Sequence, residues 1–76
     1  MNDRIKVLLA DDHNLVRAGL RKILETEPEM LVTGEVADGT AALSELERQR
    51  ADVVVLDLSM PGMDGFQLLT EAGRRW

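Results

Sequence analysis

The sequence contains no cysteine, which removes disulfides and cysteine-ligated zinc from consideration. It has a single histidine, which argues further against a zinc site. No stretch approaches the roughly 18–20 consecutive apolar residues of a membrane span. The opening run IKVLLA is too short for a signal peptide and is closed at once by acids. Basic residues are also few: nine Lys and Arg stand against fourteen Asp and Glu, for a formal net charge of −5. Nonspecific nucleic-acid affinity comes mostly from Lys and Arg on phosphates, so this balance works against direct contact with nucleic acid. The pair Arg74–Arg75 is too small to be a basic stripe. No repeat, low-complexity stretch or linker divides the chain. These absences predict a soluble, cytoplasmic protein without membrane attachment.

What is present is globular. A length of 76 residues allows one domain at most, and 45% hydrophobic with 30% charged residues does not suggest disorder. A domain of this size buries only about 60% of its unfolded surface and is marginal alone.

Ile5–Ala10 is a short, almost continuously apolar run that ends at Asp11, as suits a strand covered on both faces. Over residues 14–26 the period changes. Leu15, Val16, Leu20, Ile23 and Leu24 fall on one helical stripe, with Arg17, Arg21, Lys22 and Glu25 on the other side. His13 or Asn14 can cap its start, and Pro28 stops it. Met30–Ala37 predicts a half-exposed or edge strand. Asp38-Gly39 is a turn leading into a second amphipathic helix over 40–50, with Ala42, Leu43 and Leu46 inward. Val53–Leu56 is the most β-branched apolar run and reads as a central parallel strand. After the loop Ser59–Asp64, a third helix begins at Gly65, carrying Phe66, Leu68, Leu69 and Ala72.

The element order is β-α-β-α-β-α, which predicts an α/β fold with a parallel sheet and right-handed crossovers. The usual strand order 2-1-3 makes the first and third strands neighbours. Ligands in such sheets bind at the carboxyl ends of the strands, where the strand order reverses. Asp11 and Asp12 end the first strand and Asp57 ends the third, so this topology brings the two acidic clusters together. Clustered carboxylates repel; they either hold a proton or bind a cation. An all-oxygen donor set favours a hard ion such as Mg²⁺, beside which a carboxylate can act as a nucleophile toward phosphorus.

The stretch LLADDHNLVRAGL followed by VVVLDLSMPGMDG resembles the receiver domain of two-component response regulators. The wording D-D-H-x-L-V-R-x-G-L is similar to the subgroup whose receiver precedes a helix-turn-helix DNA-binding domain. The resemblance implies a flavodoxin-like fold, and its topology is one for which a chemotaxis receiver is a known example. It implies that Asp57 accepts a phosphoryl group from a histidine kinase or other phosphodonor. It implies that Asp12, Asp57 and the backbone carbonyl of Ser59 ligate Mg²⁺, with Asp11 acting through a metal-bound water. Pro61 and Gly62 would shape the loop beside the pocket, and Gly65 would let the third helix start close to it. Such a protein is a phosphoacceptor that controls transcription through its output domain, not a turnover enzyme.

Receivers of this type have five strands, with a Ser or Thr after the fourth and a Lys after the fifth. Residues 1–76 are therefore expected to be the N-terminal part of one receiver domain, truncated before the fourth and fifth strands and the output domain. A second expectation follows for such a piece: it self-associates through the open edge at Val53–Leu56, without signalling chemistry. A third reading, a phosphatase of the haloacid-dehalogenase type, needs a second Asp two positions after the nucleophile, where this chain has Ser59.

Simpler roles stand beside these. Asp57 can be a turn acid after a buried strand, and Asp11 and Asp12 can serve the dipole of the first helix. His13 reads as an exposed residue at a helix start. Asp64 reads as a helix cap, Met60 and Met63 as loop packing, Phe66 and Trp76 as apolar contacts, and ELERQR as a solvated face.

Overall fold

The computed structural model describes residues 4–58, 60 and 63–75. Three strands, β1 (Ile5–Ala10), β2 (Met30–Val36) and β3 (Val53–Leu56), alternate with three helices, α1 (Asn14–Glu25), α2 (Gly39–Arg48) and α3 (Gly65–Arg75). The strands form one parallel sheet in the order β2-β1-β3, the expected truncated flavodoxin-like arrangement.

The centre of the sheet is β1, where Val7, Leu8, Leu9 and Ala10 are all buried. Strand β3, which composition alone suggested for the centre, forms the sheet's edge beside β1, and Val53 is 45% exposed. Apolar β-branched residues favour a strand but do not say how many neighbours it has. The half-exposed β2 behaves as expected. Its pairing with β1 shifts register between Val7 and Leu8, leaving Thr33 without an opposite residue.

Alternation along the strands divides the side chains between two faces. Leu8 and Ala10 join Ala42 and Leu43 of α2, Leu68 of α3 and the buried Met60 in the main core. Helices α2 and α3 pack against each other on that side, while α1 lies chiefly against β2 and β1. This explains a departure from the amphipathic pattern. No residue of α1 is fully buried, and Leu15, Val16 and Ile23 of its apolar stripe are exposed. Similarly, α3 buries Leu68 but leaves Phe66 and Leu69 exposed.

Helix ends are set by local chemistry. The Asp38 carboxylate accepts the Ala41 N–H at 2.7 Å and caps α2. Before α3, the Gln67 N–H donates to Asp64 Oδ1 at 2.9 Å and the Asp64 N–H donates to Gln67 Oε1 at 3.0 Å. This reciprocal capping box gives Asp64 the capping role read from its position.

Candidate functional site

Register brings the acids together. Ala10 pairs with Leu56, so Asp11 and Asp57 are the next residues out on adjacent strands, whose spacing is roughly 4.8 Å. The ladder continues to hold them: the Asp57 N–H donates to the Ala10 carbonyl at 2.9 Å, and the Asp11 N–H to the Val36 carbonyl at 3.0 Å. At the far end of β3, Asp52 fastens the same register. Its N–H donates to the Lys6 carbonyl and its carboxylate accepts the Lys6 N–H, both at 2.8 Å.

One ligand atom from each of Asp11, Asp12, His13 and Asp57 can be chosen so that all lie within 4.8 Å of one another. The three acidic side chains are 14%, 30% and 20% exposed, in the order Asp11, Asp12, Asp57. Asp11, Asp12 and Asp57 are thus united as expected. Ser59, Pro61, Gly62 and Trp76 lie outside the described residues.

His13 stands exposed at the start of α1, as read in the sequence, and its side chain also reaches the acids. Its backbone caps α1, accepting the Arg17 N–H at 2.9 Å, but its side chain makes no capping bond. Instead Nδ1 lies 3.0 Å from Asp11 Oδ1, 3.1 Å from Asp12 Oδ1 and 3.3 Å from Asp57 Oδ2. The hydrogen bond with Asp11 raises the His13 pKa above its ordinary value, and the charges of Asp12, Asp11 and Asp57 add to this. Three carboxylates favour a positive charge among them, and the imidazole lies within reach of all three.

The donor set suits a hard divalent ion. Asp12 Oδ1 is buried and has no hydrogen-bond partner among the described residues, its approach to His13 being an ion-pair distance without hydrogen-bond geometry. A buried acceptor of this kind is costly unless a cation or donor meets it. Mg²⁺ is held by oxygen ligands, one or two of them carboxylates, which is the donor type these acids offer.

Gly65 sets how closely α3 approaches this site. Its N–H donates to the Leu58 carbonyl at 3.2 Å. A Cβ there would lie 2.7 Å from Leu58 Cα and 2.6 Å from Leu56 Cδ1, so only glycine lets the helix begin beside the residue after Asp57.

Sequence reasoning also missed Arg17, which the helical period assigns to the solvated side of α1. Its side chain is 18% exposed and donates to the Asp11 carbonyl at 2.6 Å, to Asn14 Oδ1 at 2.9 Å and to Glu35 Oε1 at 3.1 Å. Arg21 pairs with the other oxygen of Glu35 and, at 2.9 Å, with Glu25. The available signal was an arginine one turn into a helix that follows the acid pair, with a glutamate near the end of the neighbouring strand.

Comparison with known proteins places these features in a family. The response regulator receiver domain family matches residues 7–76. The uncharacterized transcriptional regulatory protein YhcZ of Bacillus subtilis is 46% identical over 68 residues, which is 90% of this chain and 32% of that protein. The response regulator UvrY of Escherichia coli K12 is 44% identical over 70 residues, 92% of this chain and 32% of that protein. Among solved structures, the RcsB response regulator of Salmonella typhimurium, studied for its DNA interaction, superposes with a TM-score of 0.89. It is 40% identical and covers 100% of this chain and 39% of its own. The chain therefore spans about a third of the length of the curated relatives it matches.

Proposed function

This chain belongs to the response regulator receiver domain family, and from that premise we propose that it is the phosphoacceptor of a two-component signalling protein, with Asp57 as the acceptor. An Asp57 carboxylate oxygen attacks the phosphorus of a phosphohistidine on a kinase, or of a small phosphodonor. The O–P bond forms as the bond to the leaving nitrogen or oxygen breaks, and the leaving atom keeps the electron pair. The chain takes up one phosphoryl group in this step and is not a turnover enzyme.

The observation that carries this reading is the meeting of Asp11, Asp12 and Asp57 at two adjacent strand ends, where a buried Asp12 oxygen has no hydrogen-bond partner among the described residues. Asp12 and Asp57 would hold Mg²⁺ directly, with the Ser59 carbonyl as a third ligand and Asp11 acting across a water. When bound, the ion neutralises charge on the incoming phosphoryl oxygens. The chain's own part is to keep three acids in one place and to present Asp57 at a strand end where a phosphodonor can reach it.

Transcriptional control by a separate DNA-binding output domain is the role supported by the names of the relatives, and it belongs to the whole protein. The net charge of −5 favours an arrangement in which this segment does not itself touch nucleic acid. No described helix is long and apolar enough to cross a membrane. A cytoplasmic location is part of the proposal.

Acetyl phosphate with Mg²⁺ tests the assignment in the full-length protein. Intact mass is expected to rise by one phosphoryl group in wild type and not in Asp57→Asn; labelling that persists in the variant removes Asp57 as acceptor. Calorimetric titration of Mg²⁺ is expected to show binding that Asp12→Ala loses, and equal binding by both removes Asp12 as a ligand.

For residues 1–76 taken alone, self-association is the second reading. It is favoured by the exposed Leu15, Val16 and Ile23 on α1, Phe66 and Leu69 on α3, and Val53 on the β3 edge. Sedimentation velocity at several concentrations tests it, and a monomer throughout would rule it out.

A further inference from the structure

Three successive peptide planes carry the chain through the acid pair, and each is pinned differently. The plane between Ala10 and Asp11 is held by the sheet, through the Asp11 N–H on the Val36 carbonyl at 3.0 Å. The plane between Asp12 and His13 is held locally, through the His13 N–H on Asp11 Oδ1 at 2.8 Å. The plane between Asp11 and Asp12 is held by Arg17, whose Nη1 donates to the Asp11 carbonyl at 2.6 Å. A peptide unit is rigid, so fixing its carbonyl oxygen fixes the direction in which the next Cα leaves. Asp12 is that next residue. Its buried Oδ1 has no hydrogen bond of its own among the described residues and only the ion-pair approach of His13 at 3.1 Å, so the direction in which the main chain launches the side chain bears on where that oxygen lies.

We infer that Arg17 is a positioning residue for the cation site: it orients Asp12 through the Asp11 carbonyl. The guanidinium suits the task because its fork presents several donors in one plane. One branch holds the carbonyl, a second holds Asn14 Oδ1 at 2.9 Å, and Nε rests on Glu35 Oε1 at 3.1 Å. Glu35 belongs to β2 and is held in turn by Arg21. The carbonyl is thereby tied through Arg17 to a neighbouring strand, not to a free side chain in solvent. The inference rests on the proposal that Asp12 ligates the cation, and it adds a residue that touches neither cation nor phosphoryl group.

The sign of the effect separates positioning from charge. Arg17 is a cation beside a cation site, so removing its charge should by electrostatics alone strengthen Mg²⁺ binding. Loss of positioning should weaken it. The experiment is calorimetric titration of Mg²⁺ into the full-length wild type, Arg17→Met, Arg17→Lys and Glu35→Gln, each first shown folded by far-UV circular dichroism. Arg17→Met keeps the aliphatic stem and is expected to bind about tenfold more weakly, within the range for residues that orient metal ligands. Arg17→Lys keeps the charge without the fork and is expected to weaken binding as well; it decides the question if Arg17→Met does not fold. Glu35→Gln is expected to have a smaller effect in the same direction. Unchanged or tighter binding in the folded Arg17 variants overturns the inference.

A second readout needs no metal. In the chelated protein the Asp12 amide resonance is expected to shift and broaden in the Arg17 variants more than in Glu35→Gln, and an unmoved resonance also overturns the inference. Wild type that binds no Mg²⁺ would instead sink the proposed cation site, and the amide measurement would still decide the role of Arg17.

Discussion

Replacing Asp57 with Asn should make the metal-free protein more stable. The substitution keeps the shape of the side chain and an acceptor oxygen for the other partners of Asp57, and removes one negative charge, and with it two of the three carboxylate repulsions at the strand ends. The ligand atoms lie within 4.8 Å of one another. Two unit charges at that distance repel by about 0.9 kcal/mol in bulk water and about 3.5 kcal/mol at the effective dielectric of 20 suited to groups near a protein surface. Two such pairs give about 2–7 kcal/mol. The acids are 14%, 30% and 20% exposed, so water screens them in part and the lower portion of the range applies, about 2–3 kcal/mol. In the unfolded chain Asp57 is far from the acid pair, and little of this repulsion persists.

His13 complicates the measurement when it is protonated, because its raised pKa extends its charged form to higher pH. Urea denaturation with a chelator, comparing the two proteins in a His13→Gln background, removes that charge from the measurement. With a urea slope of about 1 kcal/mol/M, the midpoint should rise by about 2–3 M in Asp57→Asn. Saturating Mg²⁺ should then close the gap, since a ligand bound only by the folded state stabilises by about 2.7 kcal/mol at a hundred times its Kd. Wild type gains this in full, and the variant gains less. A variant no more stable than wild type in chelator would refute the electrostatic account of the cluster.

Leu68→Ala should cost about 2–5 kcal/mol, because this fully buried residue joins α3 to Leu8 and Ala42; a midpoint change under about 0.5 M urea would contradict that role. Gly65→Ala should cost about 1–3 kcal/mol through its clash with the Leu58 backbone, whereas Gly19→Ala, with nothing within 4 Å in exposed α1, should gain about 0.5–1 kcal/mol. Thermal unfolding of the pair tests both signs. Asp64→Ala should lose about 1 kcal/mol with its capping box, and retention of full stability would show that the box contributes nothing.

Glu35 gives a pH prediction. The hydrogen bond from Arg21 lowers its pKa below the ordinary 4.5, with Arg17 adding to this against the opposing effect of burial. The unfolded chain therefore takes up this proton at higher pH than the folded one. The stabilisation is complete above 4.5 and disappears as pH falls below it through the folded value. Urea midpoints measured in acid should fall less steeply for Glu35→Gln than for wild type, and equal slopes would remove the contribution.

Much of this molecule is legible locally. A run of strand formers ended by acids, a change to helical period, and Asp38 and Asp64 before helices depend on neighbours a few residues apart. Their placement follows from chain geometry and capping chemistry. Leu15, Val16 and Ile23 were legible as a stripe but not as exposed, since burial depends on what lies opposite and periodicity does not report it.

The sequence by itself determined the alternation of strands and helices, the delivery of Asp11, Asp12 and Asp57 to strand ends, and hence the kind of chemistry available there. Only the tertiary structure decided that Ala10 pairs with Leu56, and that His13 turns from its helix into the carboxylates. It alone placed Arg17 between the Asp11 carbonyl and Glu35. The reason is range. Period and capping act within a turn or two of chain, whereas register and charge pairing act through space, and a long polar side chain can serve solvent or a distant backbone atom equally well until the crossover brings that atom within reach.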